Sequence, residues 1–240
     1  MVEPTKVSSP PSVLVVDVGG THVKLWGSGR RAPIRFLSGP KLTPETMVQT
    51  VKRLTVRWRF EVVSVGYPGP VLHGHPIREP YHLGSGWVGF NFRRALGHRT
   101  KVVNDAALQA LGSYRGGRML FLGLGTGLGS AMIVDGKIEP FELAHLPYKK
   151  GRTFEEYVGD RALHRLGKKK WRRHVAEVIR QLRAALQPEY VVVGGGNARR
   201  LKKLPARTML GTNENAFLGG VRLWDPPFGT SQRPPGSRKR

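Results

Sequence analysis

Residues 12–26 read SVLVVDVGGTHVKLW. An apolar run from Val13 to Val16 leads into Asp17, then a Gly19-Gly20-Thr21 turn, then a second β-prone run. That order predicts a strand hairpin with a carboxylate at the mouth of its turn. Glycines at 19 and 20 let the backbone approach an anion closely, and Thr21 adds a hydroxyl donor. Residues 119–134, MLFLGLGTGLGSAMIV, repeat the plan: apolar strand, turn with Gly125, Thr126 and Gly127, apolar strand. Helical segments follow each copy. The repeat predicts two related α/β halves whose turns hold a phosphate chain from both sides.

Neither turn is a better-known nucleotide motif. There is no G-x-x-x-x-G-K-[ST] loop, and the second turn leads into a strand where a dinucleotide fingerprint would lead into a helix.

Between and beyond the hairpins the pattern predicts a helix over 43–58, with Thr43 as N-cap and Pro44 at the first helical position. It also predicts a strand over 60–71 ending in a Pro/Gly turn, a short strand over 101–104 and a helix over 105–114. Helices are expected over 153–167, 169–187 and 215–224, and a strand over 189–197 running into a glycine turn. The expected organisation is a disordered tail 1–11, a smaller α/β domain 12–107 plus 216–225, a larger one 108–215, and a disordered basic tail 226–240.

The chain of 240 residues is long enough for two small cores, and 39% of it is hydrophobic. No apolar run approaches the roughly 20 residues of a membrane helix. The first eleven residues are polar and proline-rich, without a signal-peptide core. With no cysteine, disulfides and thiolate metal sites are excluded. A cytoplasmic location and no membrane partner are expected. Charge is the unusual quantity: 40 Lys and Arg against 16 Asp and Glu leave +24. Such a field draws in polyanions, although it also serves solubility. Over 168–186 an apolar stripe of Trp171, Val175, Val178, Leu182 and Leu186 should leave Lys169, Arg172, Arg173, Arg180 and Arg183 largely in solvent, as a solvated face or as a polyanion track.

Several polar residues stand where chemistry could use them. Asp17, beside a phosphate cradle, would hold magnesium through water, or else bond its own turn. Asn104 and Asp105 sit where a strand gives way to a helix; one can cap the helix while the other faces a cleft as a proton acceptor. Glu142, His145 and Glu155 could supply fixed donors and acceptors to a sugar, and make a poor zinc site.

Taken in order, DVGGTHVK (17–24), GYPGPV (66–71), NDAALQA (104–110), GLGTGLGS (123–130), ELAHL (142–146), VGGGNA (193–198) and NAFLGG (215–220) resemble the ROK sugar-kinase family, and most nearly its polyphosphate glucokinase branch. The resemblance runs from Ser12 to Trp224. It implies an actin-like (ribonuclease H-like) two-lobed α/β sugar-kinase fold with sugar and donor meeting in the cleft. By that resemblance Asp105 is the catalytic base, and Asn104, Glu142, His145 and Glu155 fall on sugar-binding positions. Gly19, Gly20, Thr21, Lys24, Gly125, Thr126 and Gly127 fall on the phosphate turns. Gly195 and Gly196 fall on a turn that supports the donor, or an adenosine. Mg2+ beside Asp17 is the implied cofactor. The cysteine-rich zinc loop of many members cannot be built here.

The activity implied is transfer of a phosphoryl group from polyphosphate, ATP or both to the 6-hydroxyl of glucose. One alternative is a strictly ATP-dependent hexokinase acting on glucose, mannose or fructose. Another is a non-catalytic sugar-sensing or polyanion-binding protein. The eleven residues before Ser12 leave no room for the DNA-binding helix-turn-helix of ROK regulators, so nucleic acid is not an expected functional partner. Dimers are common among relatives, which makes a homodimer an expectation.

Overall fold

The computed structural model describes residues 10–212 and 214–226. The tails expected at 1–11 and 226–240 therefore lie outside the described residues, apart from 10, 11 and 226.

The opening stretch forms β1 (Val13–Val18) and β2 (His22–Gly27), antiparallel, with Asp17 facing Lys24 across the ladder. β1 is buried along its whole length, whereas β2 alternates buried and half-buried positions. That difference places β1 in the sheet interior with both faces covered. β3 (Ile34–Leu37) extends the meander, and α1 (Pro44–Leu54) crosses over to β4 (Val62–Tyr67), parallel to β1. Thr43 caps α1 in a capping box with Thr46, with Pro44 in the first turn, as the sequence predicts. The helix ends four residues early, because the Thr55 hydroxyl bonds the Val51 carbonyl and the chain turns back through Trp58 N–H to Thr55 O.

A small ribbon of β5 (Val71–Leu72) and β6 (His75–Pro76) and the helix α2 (Phe92–Leu96) lead to β7 (Arg99–Asn104), parallel to β4. α3 (Asp105–Ser113) follows directly. The second half repeats this plan. β8 (Arg118–Leu124), β9 (Leu128–Val134) and β10 (Lys137–Pro140) form a meander. A ribbon of β11 (Pro147–Lys149) and β12 (Arg152–Thr153), then α4 (Glu155–Val158) and α5 (Asp160–Leu186), cross to β13 (Tyr190–Gly194), parallel to β8. A 3-10 turn at Ala198–Arg200, β14 (Thr208–Leu210) and α6 (Asn215–Arg222) complete it.

The strand orders are β3-β2-β1-β4-β7 and β10-β9-β8-β13-β14. Each reads third, second, first, fourth, fifth, so the duplication seen in two short motifs extends to whole sheets. α3 and α6 end their respective halves and pack on each other between the sheets. A shared core joins Val13, Val15 and Val62 of one sheet to Phe121, Ala131 and Val192 of the other through Leu108, Leu111 and Phe217. Each outer sheet face has its own core, one under α1 and α2 and one under α5. The domain boundary expected at 107/108 falls inside α3, a continuous helix.

The region expected as one helix over 153–167 is broken. Gly159 is extended between α4 and α5; Gly167, at the boundary expected between the helices over 153–167 and 169–187, interrupts α5 at φ 73° and ψ 157°, a conformation closed to L side chains. That break realigns the second part so that Trp171, Val175, Val178 and Leu182 face the core, as their spacing predicts. Two of the five cations expected in solvent are half-buried and bonded to loop carbonyls. Arg172 donates to Arg200 O at 2.6 Å and Arg183 to Ala206 O at 2.5 Å, pinning the loop before β14. Arg180 pairs with Glu177 at 2.7 Å, while Lys169 and Arg173 stay exposed.

Candidate active site

Asp105 occupies the first turn of α3, immediately after β7. Asn104 is the N-cap: its Oδ1 accepts from Ala106 N–H at 2.9 Å, and its Nδ2 donates to Gly69 O at 2.9 Å. Asp105 is half-buried beside it and shares the same donor. Its Oδ1 also accepts from Ala106 N–H, at 2.8 Å, which fixes the carboxyl at the helix start. Burial raises its pKa to about 7, the Asp17 carboxylate adds to that, the Ala106 N–H and its own oppose it, and Glu142 raises it a little further. A carboxyl poised near neutrality can exchange a proton at physiological pH.

Asp17 stands near it on β1, only 6% exposed. Burial raises its pKa against the opposing pull of Lys24, whose ammonium lies 3.3 Å from Oδ2. Lys24, expected at the donor, thus rests on Asp17. Its side chain is 36% exposed and long enough to swing toward an anion.

Glu142 belongs to the same field. Partial burial raises its pKa, helped by Glu155 and opposed by His145, the Ala144 N–H and Arg78. Glu142 and His145 are held on a loop that Ser130 anchors: its buried hydroxyl donates to Phe141 O at 2.6 Å and accepts from Leu143 N–H at 3.2 Å. Glu155 lies at the start of α4, and its N–H donates to Ala144 O, tying it to that loop. Its Oε2 accepts from Leu128 N–H at 3.1 Å. A Cβ at Gly127 would run into this carboxylate, so Gly127 is needed for Glu155 to lie over the turn. The structure thereby brings Asp17, Asp105, Glu142, His145 and Glu155 into one electrostatic neighbourhood, bordered on one side by the turn at 125–127.

Both turns are stiffened from behind. Gly19 N–H donates to His22 O, and Ser38 bonds Gly19 O through its hydroxyl and Thr21 O through its N–H. Thr21 and Thr126 are exposed. The second turn is braced by Asp160 N–H, which reaches Gly125 O and Thr126 O, and by Asn197 Nδ2, which spans Gly125 O and Asp160 Oδ1. Gly195 has φ 84° and packs onto Leu124, where no side chain would fit, whereas Gly125 and Gly196 have open space beside them. Arg78 and Asp160 carried no recognisable sequence signal, whereas Ser130 and Asn197 fall in the GLGTGLGS and VGGGNA motifs. Each acts on a partner far away in the chain.

The described residues hold no cluster of three or more His, Asp or Glu that would cage a metal. Two desolvated carboxylates that repel each other, Asp17 and Asp105, do suit a hard divalent cation that keeps water and phosphate oxygens as its other ligands. Phosphoryl transfer generally uses such a cation.

Two halves built on one strand order, each with a braced glycine turn, give the two-lobed architecture of the sugar kinases. No family model matches the chain. Polyphosphate glucokinase of Mycobacterium tuberculosis is 29% identical over 215 residues, covering 78% of each chain, and the Mycobacterium leprae enzyme of that name is 25% identical over 207 residues, covering 77% of this chain and 63% of its own. The crystal structure of inorganic polyphosphate/ATP-glucomannokinase from Arthrobacter sp. strain KM superposes with a TM-score of 0.72 at 25% identity, over 88% of this chain and 96% of that one. A ROK family glucokinase from Streptomyces griseus, solved with glucose and AMPPNP, gives 0.69 at 18% identity, over 88% and 98%. The fold is the actin-like one of the ROK sugar kinases. In sequence the chain is similar to the polyphosphate glucokinases.

Proposed function

We propose that this chain is a cytoplasmic glucokinase, transferring a terminal phosphoryl group from polyphosphate, ATP or both to the 6-hydroxyl of glucose. The observation that carries the reading is the Asp105 carboxyl, anchored at the start of α3, flanked by Asp17 and Glu142 and lifted to about 7. The sugar oxygen attacks the terminal phosphorus, the bond to the remaining donor phosphate breaks, and the hydroxyl proton passes to Asp105. Asn104, Glu142, His145 and Glu155 orient the sugar, with the free oxygen of Glu155 available because Oε2 is committed to Leu128. Backbone N–H groups around Gly19–Thr21 and Gly125–Gly127, the Thr21 and Thr126 hydroxyls and a swung Lys24 hold donor phosphates, with the turn at Gly195 and Gly196 behind them. Mg2+ bound near Asp17 would neutralise charge building on the transferred group. The two sheet-bearing halves closing over the sugar would keep water from competing as acceptor.

Positioning does most of this work, so loss of the base should be costly without unfolding the chain. Asp105→Asn should lower glucose phosphorylation by about 10²–10⁴ with either donor while keeping a native unfolding transition. Substantial activity in that variant would remove Asp105 from the mechanism. Assays with glucose, mannose and fructose against polyphosphate and ATP separately distinguish the donor and sugar alternatives.

A further inference from the structure

Far from the catalytic carboxylates, a surface cavity of about 470 Å³ opens between the end of α2 and the start of β7. It is lined by Asn91, Arg93, Arg94, Gly97, His98 and Arg99. The size falls in the range of small-ligand sites. Its lining is one-sided in charge: three arginines and a histidine contribute to it, and no carboxylate does. None of the three arginines is ion-paired among the described residues.

The walls are built. Asn91 Oδ1 accepts from Arg94 N–H at 2.9 Å, and Gly97, at φ 76°, turns the chain sharply out of α2. The His98 ring packs on Phe60 with centroids 4.6 Å apart, and Arg99 lies over Trp224 at 5.4 Å. Basic residues at a helix end can serve the helix dipole. A five-residue helix has little dipole to serve, and one cation would suffice for it. Gathering three like charges around one hollow costs free energy that a bound anion would recover.

Position narrows the ligand. β7 is an edge strand, and it runs from Arg99 at the cavity to Asn104 at the catalytic end. Five steps at about 3.3 Å each put the two ends roughly 17 Å apart. Lys101 sits between them, its ammonium on the Trp224 ring at 4.5 Å. A small phosphate compound in the active site cannot span that distance, whereas a long phosphate chain can.

We infer that this arginine cavity is a second anchoring site for long-chain inorganic polyphosphate, gripping the chain away from the phosphate being transferred. The inference rests on polyphosphate as donor, and it makes chain length a determinant of affinity. Each phosphate contact on a flexible polyanion adds about 0.7 to the slope of log affinity against log salt. Losing two contacts should then weaken binding roughly 25-fold at ~0.1 M salt relative to a fully screened reference at ~1 M.

The test is equilibrium binding of long-chain polyphosphate, tripolyphosphate and a single-stranded oligonucleotide to the full chain and to R93Q/R94Q. The same two proteins are assayed for glucose phosphorylation with each phosphate donor and with ATP. Both arginines are exposed, so the double variant should fold, and R93K/R94K should retain most binding. The expected result is a long-chain affinity reduced by about an order of magnitude with a shallower salt slope, while tripolyphosphate, ATP and glucose constants stay unchanged. Unchanged long-chain binding, or an equal loss for long and short chains, would overturn the inference. So would a loss confined to the oligonucleotide, which would make the cavity a nucleic-acid site. Should polyphosphate fail as donor yet bind long-chain-selectively through these arginines, the donor reading falls and the anchoring site stands.

Discussion

The pair Asn104-Asp105 shares one donor at the helix start, the Ala106 N–H, which fixes both side chains. Capping needs a short polar side chain that folds back on the next N–H groups; Asn104 does this, while Asp105 Oδ1 accepts from the same N–H and its carboxyl lies in the field of Asp17 and Glu142. Two consequences can be measured. Asp105 accepts a proton only when ionised, so kcat/KM for glucose should fall tenfold per pH unit below about 7 and level off above it. Folding responds with its own sign: the native pKa is raised above the unfolded value of 3.8, so the native state binds the extra proton between about 4 and 7. The stability this group contributes is complete below about 4 and is lost as pH rises through 7. Asp105→Asn should therefore gain stability over the parent as pH rises across that window, and denaturant titrations at pH 4 and 8 would reveal a constant difference if this is wrong. Asp105 was legible from its place between strand and helix. The Lys24–Asp17 pair was not, because cross-strand register decides that Lys24 faces Asp17.

Elements carry the next level of the argument, and the contact of α3 with α6 matters most. The two helices approach so closely that a Cβ on Gly219 would run into the Leu108 carbonyl, and one on Gly112 into the Asn215 backbone. Backbone cannot step aside as a flexible side chain can, so Gly219→Ala should destabilise by at least 1–3 kcal/mol. Its control is Leu218→Ala on the same helix, 44% exposed, which should stay within about 0.5 kcal/mol. A melting temperature equal to the parent's in Gly219→Ala would mean that this crossing is looser than described. Strands and long helices were readable from apolar runs and spacing. β3, the two ribbons, α2 and β14 were not, since segments of two to five residues draw their order from partners elsewhere in the chain. The end of α1 was missed because the Thr55 hydroxyl competes for the Val51 carbonyl.

At the scale of the whole molecule, charge and duplication act together. A chain with +24 attracts any polyanion, and salt screens that attraction. With long polyphosphate as donor, kcat/KM should fall steeply between about 0.05 and 0.2 M salt, whereas with ATP, which makes few phosphate contacts, it should change by no more than a few-fold. Parallel salt dependence for both donors would show that the net charge plays no part in donor capture. Composition supplied that field in full view, yet it could not say which cations were available for it. Arg172 and Arg183 looked solvent-facing by helical spacing and instead hold loop carbonyls, while Arg93, Arg94 and Arg99 drew no notice and line one cavity. By itself the sequence determined the repeated hairpin, the buried strands, the glycine turns and the carboxyl at the helix start, because each depends on residues adjacent in the chain. Only the tertiary structure decided that the two sheets share one strand order, that Glu155 lies over Gly127, and which arginines line a common hollow. Those outcomes depend on groups far apart in sequence, brought together by packing that no local pattern encodes.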